Sequence, residues 1–130
     1  MEKKEKIVIL EDDSSIVKSL TRMLSGEGYE VFSTVDGETG LRIIKEKKPD
    51  LIVLDIILPR KSGFEVMEDI SEDDDLKHIP VVVLTNLESN QDVNRMIEMG
   101  VKSFLVKANY SLEEVVKKIK EILNKFGNNK

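Results

Sequence analysis

Cysteine and tryptophan are both absent from this chain of 130 residues, and histidine occurs once. Without cysteine there is no disulfide framework, no thiolate metal site and no cysteine nucleophile. A single histidine, His78, rules out a His-rich metal site and leaves any Ser-His-Asp chemistry resting on one ring. No apolar run reaches the length of a membrane span. The charged start, Met1-Glu2-Lys3-Lys4-Glu5-Lys6, is followed by only four apolar residues and does not read as a signal peptide. A cytoplasmic protein is the expectation. Basic residues are also short, at 20 Lys+Arg against 25 Asp+Glu, for a formal net charge of −5. An acidic surface attracts neither phosphate backbone nor anionic lipid, which argues against DNA and membranes as partners.

What is present is a globular balance, 40% hydrophobic and 35% charged. The length suits one domain over residues 1–130, with a core over about 6–126 and 127–130 as a frayed tail. Short apolar runs alternate with longer amphipathic ones. Ile7-Val8-Ile9-Leu10 reads as a strand covered on both faces and Leu51-Ile52-Val53-Leu54 as another fully apolar one, with Glu30 to Val35, Val81-Val82-Val83-Leu84 and Phe104-Leu105-Val106 as further strands.

Helices are expected between them. One carries Ile16, Val17, Leu20, Met23 and Leu24 and is stopped by Gly26 and Gly28; another runs from about Glu38 to Lys47 with Leu41 and Ile44 inward. A short one carries Phe64, Met67 and Ile70, and one capped by Ser89 carries Val93, Met96 and Ile97. The last opens on a capping box at Ser111 and continues through Val115, Val116, Ile119, Ile122, Leu123 and Phe126. Alternating β and α implies parallel strands, right-handed crossovers and helices on both faces, a doubly wound α/β fold.

In an open parallel sheet, ligands sit beyond the carboxyl ends of the strands. That rule selects Glu11, Asp12 and Asp13 after the first apolar run, Asp55 after the third, Thr85 after the fourth and Lys107 after the fifth. Several carboxylates at one sheet edge repel each other and call for a cation, and hard oxygen ligands suit Mg2+. A carboxylate beside such an ion can attack a phosphoryl group and become an acyl phosphate. A lysine and a hydroxyl can then stabilise the transferred charge.

Plainer roles compete for the same residues. Asp13 or Ser14 suits the cap of the following helix, and Glu11-Asp12 taken alone fits capping too. Threonine at a strand end is common, and a solvated lysine at Lys107 would be unremarkable. Asp55 is harder to dismiss, because it is a lone charge between Leu54 and Ile56-Ile57-Leu58, an expensive place unless paired or metal-bound. His78 reads as a surface residue, and Glu72-Asp73-Asp74-Asp75 as a solvated loop face.

Together these positions resemble the receiver domain of two-component response regulators, from about Lys6 to Phe126. Ile7 to Asp13 is similar to the family's first strand and acid pair. Leu51 to Pro59, with Gly63 following, resembles its phosphoacceptor motif. Val82-Val83-Leu84-Thr85 and Phe104-Leu105-Val106-Lys107 resemble its switch threonine and site lysine, at the family's intervals.

The resemblance implies a flavodoxin-like sheet of five strands in the order 2-1-3-4-5 with five helices. It implies phosphorylation of Asp55 by a histidine kinase or phosphotransfer protein, with Mg2+ held by Glu11, Asp12, Asp55 and the backbone carbonyl of Ile57. Thr85 and Lys107 close on the phosphoryl group, and Phe104 is the aromatic switch. The pair is assigned as Glu11/Asp12, with Asp13 starting the helix; the alternative register is Asp12/Asp13. As in the family, the domain assists only its own phosphorylation and dephosphorylation rather than acting as an enzyme on other molecules. Output by protein–protein contact follows, as a monomer or a phosphorylation-dependent dimer.

Three departures from the family stand out. Ala108 replaces the usual proline after the lysine, leaving that loop trans or strained. Asn86 follows the threonine where a small residue is usual. The positions that tune hydrolysis, Ile57 and Leu87, are both apolar, which implies slow loss of the phosphoryl group. Two other functions compete: a Mg2+-dependent aspartyl-phosphate phosphohydrolase, which would want Asp-x-Asp where Glu11-Asp12-Asp13 stands, and a binding-only pseudo-receiver.

Overall fold

A computed structural model describes residues 3–87 and 89–126. Five strands alternate with five helices: β1 (Lys6–Leu10), α1 (Ser14–Gly26), β2 (Glu30–Thr34), α2 (Gly37–Lys47), β3 (Leu51–Leu54), α3 (Gly63–Ser71), β4 (Val81–Thr85), α4 (Asn90–Glu98), β5 (Ser103–Val106) and α5 (Leu112–Phe126). All four strand pairings are parallel, and the order is β2-β1-β3-β4-β5. The doubly wound fold and its strand order are therefore as expected.

The continuous apolar runs follow from double-sided burial. Val8, Leu10, Ile52, Leu54, Val81 and Val83 join Leu41 and Ile44 of α2, Val66, Met67 and Ile70 of α3 and Met96 of α4 in one core. Their alternates Ile7, Ile9, Leu51, Val53, Val82 and Leu84 join Leu20 and Leu24 of α1 and the stripe of α5 in the other. A period of two sends neighbouring strand residues into opposite layers, so the inner strands β1, β3 and β4 carry unbroken apolar runs, while the edge strand β2 keeps Glu30, Ser33 and Thr34.

Most helices begin where the sequence sets a cap. Asp13 accepts from the Ser15 and Ile16 amides at 3.0 and 3.3 Å, and Ser89 accepts from Asp92 at 3.1 Å. Ser111 and Glu114 close a reciprocal box at 3.1 and 2.8 Å.

Some expectations need correction. β2 ends at Thr34, and Val35 beyond it is 53% exposed. Asp36 draws the start of α2 back to Gly37, because its carboxylate accepts from Thr39 N–H at 2.7 Å. Ile97 is not inward but 56% exposed. α4 lies beside the edge strand β5 and covers it with a narrow stripe, Met96 with Val93 half-buried, which leaves Ile97 outside. Phe126 is 41% exposed at the last residue of α5, its ring flanked by the Lys102 and Lys125 amines at 4.7 and 5.5 Å. The tail, residues 127–130, lies outside the described residues.

Candidate functional site

The winding reverses between β1 and β3: the chain leaves β1 for β2 on one side and reaches β3 on the other. The carboxyl ends of these adjacent strands open onto the crevice that such a reversal creates. Leu10 pairs with Leu54, and the Asp55 amide donates to the Leu10 carbonyl at 2.9 Å. Glu11 and Asp55 thus leave the sheet side by side. Glu11 is 1% exposed and Asp55 5%, while Asp12 is exposed at the rim. One carboxylate oxygen from each of Glu11, Asp12 and Asp55 lies within 4.8 Å of the others. Asp13 stays outside that trio as the cap of α1.

Lys107 follows β5, at the start of a single tight helical turn, Lys107–Asn109. Its Nζ donates to Glu11 Oε2 at 2.9 Å and to Asp55 Oδ2 at 3.0 Å. Burial alone would lower the Lys107 amine, but the hydrogen bonds and charges of Glu11 and Asp55 outweigh it and hold the amine above its ordinary value. For Glu11, burial dominates and pushes the carboxyl up to about 7, against the hydrogen bonds from Lys107 and the Asp13 amide; the charge of Asp55 adds to the rise. Glu11 Oε1 is buried with no hydrogen-bond partner among the described residues.

Thr85 is fully buried at the end of β4, and its Oγ1 accepts from the Leu87 amide at 3.4 Å. Ile57 donates its amide to Asp55 Oδ1 at 3.4 Å while its side chain stands in solvent, 59% exposed. Phe104 is half-buried in β5, against the core beneath α2, α3 and α4. The Lys107–Ala108 bond is trans, as are all the described peptide bonds.

The loop after Asp55 is held close by Gly63. Its N–H donates to the Ile56 carbonyl at 2.7 Å, and a Cβ there would stand 2.4 Å from the Asp55 carbonyl oxygen. Sequence reasoning missed two further features: Arg60 adopts φ 71°, and Gly37 of α2 is pressed against Lys61. The only sequence signal for the second is a glycine just inside a helix start.

Three hard carboxylates, one with a buried oxygen left unpartnered, fit a divalent cation of the Mg2+ class. The lysine among them fits charge on a transferred anionic group.

The fold and this pocket define a class, a flavodoxin-like α/β domain with an acidic crevice and one amine at its switch point. The chain belongs to the response regulator receiver domain family of two-component signalling, whose model matches residues 7–120. It is 34% identical over 122 residues to the probable transcriptional regulator ycf27 of Porphyridium aerugineum, covering 94% of this chain and 49% of that protein. It is 33% identical over 117 residues to the polar-differentiation response regulator DivK of Brucella anthropi, covering 90% of this chain and 94% of that protein. A CheY-like response regulator receiver domain protein from Methanospirillum hungatei matches with a TM-score of 0.87 at 26% identity, over 95% of this chain and 96% of its own. The chain spans about half the length of the ycf27 relatives it matches. No described helix is long and apolar enough to cross a membrane.

Proposed function

We propose that this chain is a phosphorylation-controlled switch whose acceptor is Asp55. The carrying observation is the buried Asp55 carboxylate, which shares the Lys107 amine with Glu11 and lies beside Asp12. Glu11, Asp12, Asp55 and the Ile57 carbonyl are the groups that would hold Mg2+. When bound there, Mg2+ supplies charge neutralisation and polarisation of the phosphoryl oxygens.

The remaining work belongs to the chain. An Asp55 oxygen attacks phosphorus as the bond to the donor breaks, leaving an acyl phosphate on Asp55 and the freed donor group. Lys107 already donates to Asp55 and carries the positive charge that the phosphoryl oxygens need. Thr85 supplies a hydroxyl donor from β4, and Phe104 on the neighbouring strand changes packing with it. The result is a shift between two populations.

The donor is a histidine kinase or phosphotransfer protein, and the site of action is the cytoplasm. Residues 1–130 work as one unit with its core at about 6–126, without turning over external substrates. The match to DivK over 94% of that protein supports a stand-alone form, and the formal net charge of −5 supports output by protein contact rather than DNA. A monomer or a phosphorylation-dependent dimer fits this reading. Ile57 and Leu87 offer no polar group to orient a hydrolytic water, so the acyl phosphate is lost slowly.

Incubation with Mg2+ and acetyl phosphate tests the proposal. Intact mass rises by one phosphoryl group in the wild type and stays unchanged in Asp55→Asn. Labelling that persists in Asp55→Asn refutes the assignment, and a half-life of seconds refutes slow hydrolysis.

A further inference from the structure

The β3–α3 loop turns most sharply at Arg60. There φ is 71°, and the Lys61 N–H donates back to the Pro59 carbonyl at 2.8 Å. This is a γ-turn with positive φ at its centre, a rare and strained form that persists only where its surroundings hold it. The start of α2 does the holding. The Gly37 N–H donates to the same Pro59 carbonyl at 3.2 Å, and Glu38 pairs with Arg60 at 3.5 Å. From the other side, Asp69 of α3 takes the Lys61 amine at 2.7 Å.

The contact that decides the matter is Gly37 itself. A Cβ built on it would stand 1.8 Å from the Lys61 carbonyl oxygen and 2.8 Å from its carbon, inside the 3.0 Å that real Cβ atoms keep. Both Lys61 atoms are backbone, so no rotamer change relieves the clash. Helix or loop must move by more than about 1 Å, a misplacement that can cost a site about a hundredfold.

We propose that Gly37 is a positioning residue for the acidic pocket: its bare Cα and its amide seat the Pro59–Lys61 turn and so fix the loop that carries Ile57 next to Asp55. Gly37 lies outside the carboxylate trio and acts through the loop. The inference rests on the reading of that trio, with the Ile57 carbonyl, as a divalent-cation site.

The test measures Mn2+ binding by the paramagnetic resonance signal of the free ion, together with amide spectra of the metal-free protein. Gly37→Ala weakens Mn2+ binding by about tenfold or more, the scale of lost supporting contacts around a metal. In the metal-free spectrum, the amides of Ile57, Leu58 and Arg60 to Gly63 shift while those of Val8 and Ile9 stay. Ile44→Val, in the same helix but buried in the core, lowers stability and keeps the wild-type dissociation constant.

If Gly37→Ala does not fold, a glycine inserted between Arg60 and Lys61 releases the turn from α2 at little cost to the fold and weakens Mn2+ binding in its place. A wild-type constant in whichever of these variants folds overturns the role of Gly37 and leaves the pocket reading standing. No Mn2+ binding by the wild type overturns both.

Discussion

Among the described residues, Lys107 is the one cation between two buried carboxylates, so replacing it with methionine measures how much the pocket depends on compensation. Its side chain is 15% exposed, against 1% for Glu11 and 6% for Asp55, with contacts at 2.9 and 3.0 Å. At an effective dielectric of about 20, each contact between full charges represents about 5.5 kcal/mol of gross attraction, which for Glu11 applies above its value of about 7, so the titrations are run at a pH above that. Desolvation of three charged groups offsets most of that. The variant removes the attraction and leaves the carboxylates buried, and breaking such a pair costs about 3–5 kcal/mol. With a urea m-value of about 2 kcal/mol per M, the unfolding midpoint in metal-free buffer falls by about 2 M. Saturating Mg2+ then stabilises the variant at least as much as the wild type, because the divalent charge compensates carboxylates that have lost their only described amine partner. At a hundredfold excess over the dissociation constant that gain is about 2.7 kcal/mol. Urea titrations of both proteins, each with EDTA and with Mg2+, supply the four midpoints. A variant as stable as the wild type in EDTA would refute the reasoning, as would Mg2+ that stabilises the wild type more.

Gly63→Ala places a Cβ 2.4 Å from the Asp55 carbonyl and 2.6 Å from Ile56 Cα. It should lower stability by about 1–3 kcal/mol, as overpacking does, and slow labelling by acetyl phosphate; labelling at the wild-type rate would show that the loop adjusts freely. Ile70→Ala empties a fully buried site in the core under α3. Chemical denaturation should report a loss of about 2–5 kcal/mol, while Asp55 in the folded fraction still takes one phosphoryl group. Ser62→Ala breaks the box in which Ser62 and Glu65 bond each other's amides at 3.2 and 2.9 Å. Thermal unfolding should show a loss of about 1 kcal/mol, and an unchanged midpoint would mean that water caps α3 equally well.

What the sequence displays depends on how local the cause is. The inner strands were legible because a strand covered on both faces must be apolar at every position, a constraint written in four consecutive residues. Asp55 was legible for the same reason in reverse: a charge set into such a run marks a place where the fold has to compensate it. Lys107 and Glu11 were legible only as strand ends, since their contact joins residues 96 positions apart and neither one implies the other. Ile97 and Phe126 were misplaced because a helical stripe gives the direction of a face but not the width of sheet beneath it. Gly37 and Arg60 left no usable mark. A positive φ at arginine has no side-chain signature, and the need for a bare Cα at Gly37 arises only when α2 meets the loop that follows β3. The residues that carry charge into the pocket can thus be read from strand ends, whereas those that hold the pocket in shape are set by contacts between elements and emerge only from the fold.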